Sequence, residues 1–241
     1  MKEYDSELIE RITRYEEMMI EAYSLMNDGD GSKESKERLR FLVDELSDYY
    51  KSQQWKQDFE ADENGMLPKD LKRGVLSEDG IYDLIDDYRE YKLVDKGYEF
   101  CQEMETDKFS LHDCRVTAME YEDDEVLMRI PDGIMNAEYG DDWPNTGSAA
   151  VAFTIEDDDF SSLNLFVEED GKTVRYEYSL EELAEKINSG EWELEFGYRY
   201  EGYMSLFYIV WIWAKEPPYN YEAQLFINTF GRETVLWNKP R

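Results

Sequence analysis

The feature that most constrains this 241-residue chain is a change in the spacing of its apolar residues near Asp95. Before that point they recur every three or four residues, the period of one helix face; beyond it they alternate, the period of a strand. Leu8, Ile12, Tyr15, Met19, Ala22 and Met26 form one stripe, and Leu39, Leu42, Leu46 and Tyr49 a second. The turn-forming run Asn27-Asp28-Gly29-Asp30-Gly31-Ser32 separates them. Two helices with so short a connection bury their stripes against each other as an antiparallel hairpin. A third helix is predicted with Ser77 as N-cap, Glu78 and Asp79 in its first turn and Ile81, Leu84, Ile85 and Tyr88 on its apolar face. The expected helices span about 3–26, 33–53 and 77–91, with a shorter one near Gln57–Ala61. A loop beyond it packs Trp55, Leu67 and Leu71 on the hairpin.

Past Asp95, Val126, Met128 and Ile130 alternate with Leu127 and Arg129, and Val174, Tyr176 and Tyr178 with Arg175 and Glu177. Trp192, Leu194, Phe196, Tyr198 and Tyr200 read as the inward row of a further strand. Tyr203–Trp213 is apolar on both faces apart from Ser205 and reads as a strand covered on both sides, with Trp211 and Trp213 in the core. Asp170-Gly171 and Tyr121–Glu125 read as hairpin turns, and Leu225/Ile227 with Val235/Trp237 as a final strand pair around Gly231. One helix interrupts: Ser179 with Glu182 is a capping box, and Gly190 follows the expected end of a helix over about 180–188. The fold class is therefore α+β, with a helical hairpin or bundle over residues 1–94. A mainly antiparallel domain of seven to nine strands with one helix fills 95–241.

The strings Leu46-Ser47-Asp48-Tyr49-Tyr50 and Leu67-Pro68-Lys69-Asp70-Leu71-Lys72-Arg73-Gly74-Val75-Leu76-Ser77-Glu78-Asp79 resemble a bacterial family known as domain of unknown function 4298, over residues 5–92. The resemblance implies a small helical fold and assigns no activity. In the second half, Leu111-His112-Asp113-Cys114-Arg115 and Ile130-Pro131-Asp132-Gly133 resemble small bacterial proteins associated with toxin immunity.

Charge sorts the function classes. There are 58 acidic residues against 26 basic ones, a net charge of −32. Residues 1–95 hold 26 acids and 14 bases, and residues 96–241 hold 32 and 12, so both halves are acidic. Direct nucleic-acid binding needs clustered Lys and Arg and is set aside; anionic membrane surfaces are disfavoured for the same reason. The longest apolar stretch, Tyr203–Ala214, falls short of the ~20 residues of a membrane helix. Met1–Glu10 carries charge and no apolar core, so no signal peptide is read there and a cytoplasmic location is expected. A basic protein is the expected partner.

Catalytic groupings are sparse. The loop from Asp28 has Lys33 and Leu39 where a calcium loop needs Gly and Glu. His112 is the single histidine; as a strand residue it would diverge from Asp113, and the two cysteines, Cys101 and Cys114, read as small core residues. Phosphate-binding glycine loops, nucleophile elbows and paired metal-binding histidines are absent from the sequence. No catalytic residue, cofactor or metal ligand is assigned, and an enzyme is not expected. Aromatics beside acids are the composition of an interface for a basic partner. Tyr139, Asp141, Asp142 and Trp143, with Asp157, Asp158 and Asp159, are therefore the candidate partner-binding residues. The expected function is a non-enzymatic acidic binding module, in its sharpest form an immunity-type inhibitor of a basic toxin. The alternatives are a carboxylate-based enzyme or a binder of divalent cations or small ligands, with Asp123-Asp124 and Glu156–Asp159 as cation candidates, and a nucleic-acid mimic.

Overall fold

The computed structural model describes residues 5–77, 79–94, 96–122, 124–140, 142–217, 219–229 and 233–240. The expectations placed on Glu78, Asp123, Asp141 and Gly231 lie outside these residues. The chain divides into two units, Met1–Lys92 and Leu93–Arg241. A helical region is followed by a mainly antiparallel β region with one helix.

In the first unit, α1 (Ser6–Asp28) starts where the Asp5 carboxylate accepts from the Glu7 and Leu8 amides. The α2 helix (Lys33–Lys51) starts at Ser32, whose hydroxyl accepts from the Ser35 amide. Both serve amides that lack a partner within their helix. Arg38 pairs with Glu21, and Tyr15 stacks on Tyr49 with ring centroids 3.7 Å apart, so the helices run antiparallel. Their stripes form the core: Ile12, Ala22, Leu39, Leu42 and Leu46 are fully buried with Val75, Ile81 and Leu84. Each large side chain among them contributes at most about 1.5–3 kcal/mol.

Ser52 joins α2 to α3 (Gln53–Glu63): its hydroxyl donates to the Tyr49 carbonyl and accepts from the Trp55 amide. Trp55 lies within α3 and its indole donates to the Val75 carbonyl at 3.0 Å, fixing the 3₁₀ turn Gly74–Leu76. Glu16, on α1, accepts from the Val75 amide at 2.8 Å. Ser77 does not begin the next helix, contrary to its reading as an N-cap. Its amide donates to the Gly74 carbonyl and its carbonyl accepts from the Gly80 amide, which closes tight turns, and an α-type bond runs from the Asp83 amide to the Asp79 carbonyl. Helix α4 is Gly80–Val94.

The second unit is a sandwich of two antiparallel sheets. One has the order β1 (Phe100–Glu103), β13 (Glu233–Trp237), β7 (Ala149–Thr154), β5 (Glu125–Ile130), β4 (Ala118–Glu122). The other has β3 (Arg115–Val116), β10 (Trp192–Gly202), β11 (Ser205–Ala214), β12 (Asn220–Asn228), β8 (Ser162–Glu169), β9 (Lys172–Ser179). A short pair, β2 (Phe109–Ser110) with β6 (Met135–Asn136), stands apart. These make 13 strands among the described residues, more than the seven to nine expected; three of them are only two residues long. Val126, Met128, Val151, Phe153 and Val235 from the first sheet meet Leu163, Leu194, Phe196, Leu206, Val210 and Leu225 from the second. The first sheet's other face buries Leu127, Ala150, Ala152 and Leu236 with Leu93.

Three expectations are overturned. The β12 and β13 strands do not pair; they belong to different sheets. The β11 strand is buried on one face only: Leu206, Tyr208, Val210 and Ile212 point inward, while Phe207, Ile209, Trp211 and Trp213 lie on the opposite, half-buried face. Tyr203 stands in the turn before it and is almost fully exposed.

Helix α5 (Leu180–Asn188) starts at the Ser179/Glu182 capping box and inserts Leu183 and Ile187 into the core. At its end, the Asn188 side-chain amide accepts from the Met119 amide at 3.0 Å and donates to the Met119 carbonyl at 2.7 Å. It thereby takes the place of a neighbouring strand on the free edge of β4.

Candidate functional site

The most organised polar site grows from a fault in one strand. The β10–β11 register slips between Phe196 and Arg199. One extra residue reverses which face each later side chain takes. Tyr198 and Tyr200, read as inward residues, are therefore exposed, and Arg199 turns into the sandwich. Gly197 sits at the slip because nothing larger fits: a Cβ there would lie 2.4 Å from the Trp211 ring and 2.7 Å from the Ile209 carbonyl oxygen. Gly197→Ala is expected to cost about 2 kcal/mol through overpacking, measured as a fall in the urea midpoint with an unchanged slope.

Inside, the Arg199 Nε donates to Glu233 at 2.9 Å, and the Tyr208 hydroxyl donates to the other oxygen of the same carboxylate. Glu233 is 1% exposed and comes from the opposite sheet, so the three residues clamp the two sheets together. Burial pushes the Glu233 carboxyl up, and the bonds from Tyr208 and Arg199 offset only part of that. For Arg199, burial works to lower the pKa but is outweighed by Glu233, so the guanidinium stays charged. In front of the clamp is a cleft of about 340 Å³ lined by Met104, Phe109, Ser110, His112, Tyr198 and Arg199, among others. Among the described residues no carboxylate lines it, which is unusual in so acidic a chain.

His112 stands on this cleft. It lies in a turn rather than a strand, Asp113 having φ of 61°. The two side chains therefore do not diverge: His112 Nδ1 and Asp113 Oδ1 are 3.0 Å apart. The His112 ring meets Tyr198 edge-on at 5.2 Å. Cys114 takes no part, because its thiol approaches the Ser110 and His112 carbonyls and burial pushes it up to about 12. A thiol so reluctant to ionise is a packing residue rather than a nucleophile. Among the described residues, no group of three or more His, Cys, Asp or Glu side chains is placed to hold a metal ion.

Of the seven residues singled out in sequence, the six that are described fall in two places. Tyr139 ends a 3₁₀ turn (Ala137–Tyr139) and its hydroxyl accepts from the Trp237 indole at 3.2 Å. Asp142 and Trp143 follow in an exposed loop, and Asp141 lies outside the described residues. Asp157 accepts from the Asp159 amide and opens the turn Asp158–Phe160. The first group lies by the Ala149–Trp237 end of the five-stranded sheet and the second by the Thr154 end. Strand β7 separates them by roughly 17 Å at 3.3–3.4 Å per residue.

Around the second group the acids do converge. Tyr121 donates to Asp158, with Asp124 and Glu181 also close; burial first, then these carboxylates, raise its hydroxyl pKa. Among the described residues, none of Asp124, Asp157, Asp158, Asp159 and Glu181 forms an ion pair. Phe160, which sequence reading passed over, projects beside them 71% exposed. Its signal was an aromatic ending an acidic run, Asp157-Asp158-Asp159-Phe160.

By class, then, this is a two-unit α+β protein: a helical unit followed by an antiparallel sandwich that carries a polar cleft at Arg199. Residues 12–95 match the family model described as Domain of unknown function (DUF4298), which places that domain in the helical part of the chain. No curated protein and no solved structure matches the chain.

Proposed function

We propose that this chain is a non-catalytic binding protein that docks a basic protein partner, in the manner of an immunity-type inhibitor. The observation that carries the reading is the patch around Phe160. Exposed Phe160 closes the run Asp157-Asp158-Asp159, and Asp124 and Glu181 lie near the Tyr121 hydroxyl that donates to Asp158; among the described residues none of these acids forms an ion pair. An apolar anchor within a charged rim is the anatomy of an interface hot spot. Carboxylates around it steer a cationic partner and fix its register. The net charge of −32 gives that steering long reach at low salt. Trp143 with Asp142 forms a second, smaller pairing of the same kind.

The test is capture of partners on the immobilised chain, followed by calorimetry of the purified complex at several salt concentrations. A basic partner is expected, with affinity that falls as salt rises. Phe160→Ala is expected to weaken it by about tenfold, equivalent to about 1.4 kcal/mol. Binding indifferent both to salt and to Phe160 would reject the reading.

A second reading, a small-ligand site, is favoured by the cleft at Arg199. Its volume lies within the range of ligand pockets, and it combines apolar walls with a few convergent polar groups.

A further inference from the structure

We propose that strand β9 (Lys172–Ser179) is a dimerisation edge that pairs antiparallel with β9 of a second copy of this chain. The strand is hydrogen-bonded along one side, to β8, and ends the six-stranded sheet. At eight residues it is longer than the sheet ends at β3, with two residues, and β1, with four. The end at β4 is occupied by the Asn188 amide. Among the described residues, β9 is therefore the longest sheet edge left open to another chain.

Charge and register identify the occupant. Edge strands carry charges that normally repel a second strand. On β9 the outward charges are Arg175 and Glu177, which share a face and bond to each other within the chain. A twofold axis perpendicular to the sheet keeps faces together, so paired residue numbers must have the same parity. Centring the axis on Tyr176 sets Arg175 against Glu177 of the second copy, and Glu177 against its Arg175. On the inner face the same operation sets Val174 against Tyr178, and Tyr176 against its own copy. Moving each strand by one residue sets Arg175 against Arg175, or Glu177 against Glu177, and both oppose pairing. The strand is thus complementary to itself in one register, the requirement of an isologous interface.

The aromatic side of β9 adds contact area. Tyr176 and Tyr178 line an open groove of about 760 Å³ with Leu165, Val167, Trp192 and Tyr221. A strand added beyond β9 extends the floor of that groove. Two bodies of charge −32 repel each other, so the association is weak at low salt and strengthens as salt screens the repulsion. That is the opposite of the salt response expected for a basic partner.

Sedimentation equilibrium of the full chain, from about 10 to about 500 µM and in about 0.15 M and about 0.5 M NaCl, tests this. A monomer–dimer equilibrium is expected, tighter at the higher salt. Arg175→Glu and Glu177→Arg should each raise the dissociation constant at least roughly tenfold, by placing like charges across the axis. The double variant Arg175→Glu/Glu177→Arg restores the pairing and should dimerise like the parent, and the two single variants mixed together should form a heterodimer. Both side chains are exposed, and unchanged far-ultraviolet circular dichroism will show that the variants remain folded. A parent that stays monomeric throughout overturns the proposal. So do single variants that dimerise as well as the parent.

Discussion

Replacing Asp58 with alanine should cost the helical unit about 3 kcal/mol, seen as a lower urea midpoint in far-ultraviolet circular dichroism with little change in slope. Asp58 is 1% exposed and serves three donors. Arg11 grips it with two bonds, from Nε at 2.8 Å and from a terminal nitrogen at 2.7 Å; the Tyr49 hydroxyl donates at 2.8 Å and Gln54 at 3.2 Å. Removing the carboxylate leaves the Tyr49 hydroxyl buried without an acceptor and Arg11 charged without its partner. Breaking one side of such a pair costs about 3–5 kcal/mol, and the lower end applies because about a quarter of Arg11 remains exposed to water. The same three residues tie α1, α2 and α3 together, so hydrogen exchange should accelerate in all three helices at once. If the protein loses less than about 1 kcal/mol, the network is a surface pair in energetic terms.

Glu233→Ala should have a similar effect on the sandwich, about 3 kcal/mol near pH 5 and less at pH 8, followed by tryptophan fluorescence in urea at both values. The sign follows from the direction of the shift. Burial raises the carboxyl above its ordinary value of 4.5. Its contribution to stability is therefore complete below 4.5 and diminishes as pH climbs through the raised folded value. The parent protein gives up part of its advantage on that climb, and the alanine variant has nothing there to titrate. Glu233→Gln, which keeps an acceptor for Tyr208, should lose less than alanine and show no pH dependence from this site. A penalty that grows with pH would mean that Arg199 dominates the carboxyl and that burial does not.

The helical unit was largely legible in the sequence because its helices are specified locally. The stripes from Leu8 and Leu39 are the buried faces, and Ser32, read as part of the turn, also caps the second helix. Ser77 misled because a serine before acids also ends a 3₁₀ turn, and the difference is set by Trp55 and Glu16, far away in sequence. In the sandwich, alternation located strands but not the sheet each belongs to. Nothing near Leu225 or Val235 announces that β12 and β13 part company, since that partition is decided by long-range pairing.

The same limit hid the cleft. Counting by twos from Trp192 carries Tyr198 and Tyr200 inward and leaves Arg199 outside, and the structure reverses all three. The legible clue was Gly197, since a glycine inside an otherwise bulky strand marks a bulge or a close approach. Glu233 gave no clue at all: nothing in its local sequence separates it from the other acids, and only the facing Arg199 and Tyr208 do so.

The small amide of Asn188 has a consequence on a larger scale. A layered protein that can add neighbours at both rims is free to grow into a fibre, one copy after another. Here the β4 rim is stoppered by a side chain of the protein's own helix, at a position where a foreign strand would have to displace two good bonds. The β9 rim belongs to the other sheet, and the twofold pairing proposed there would use up that rim on each partner and halt at a pair.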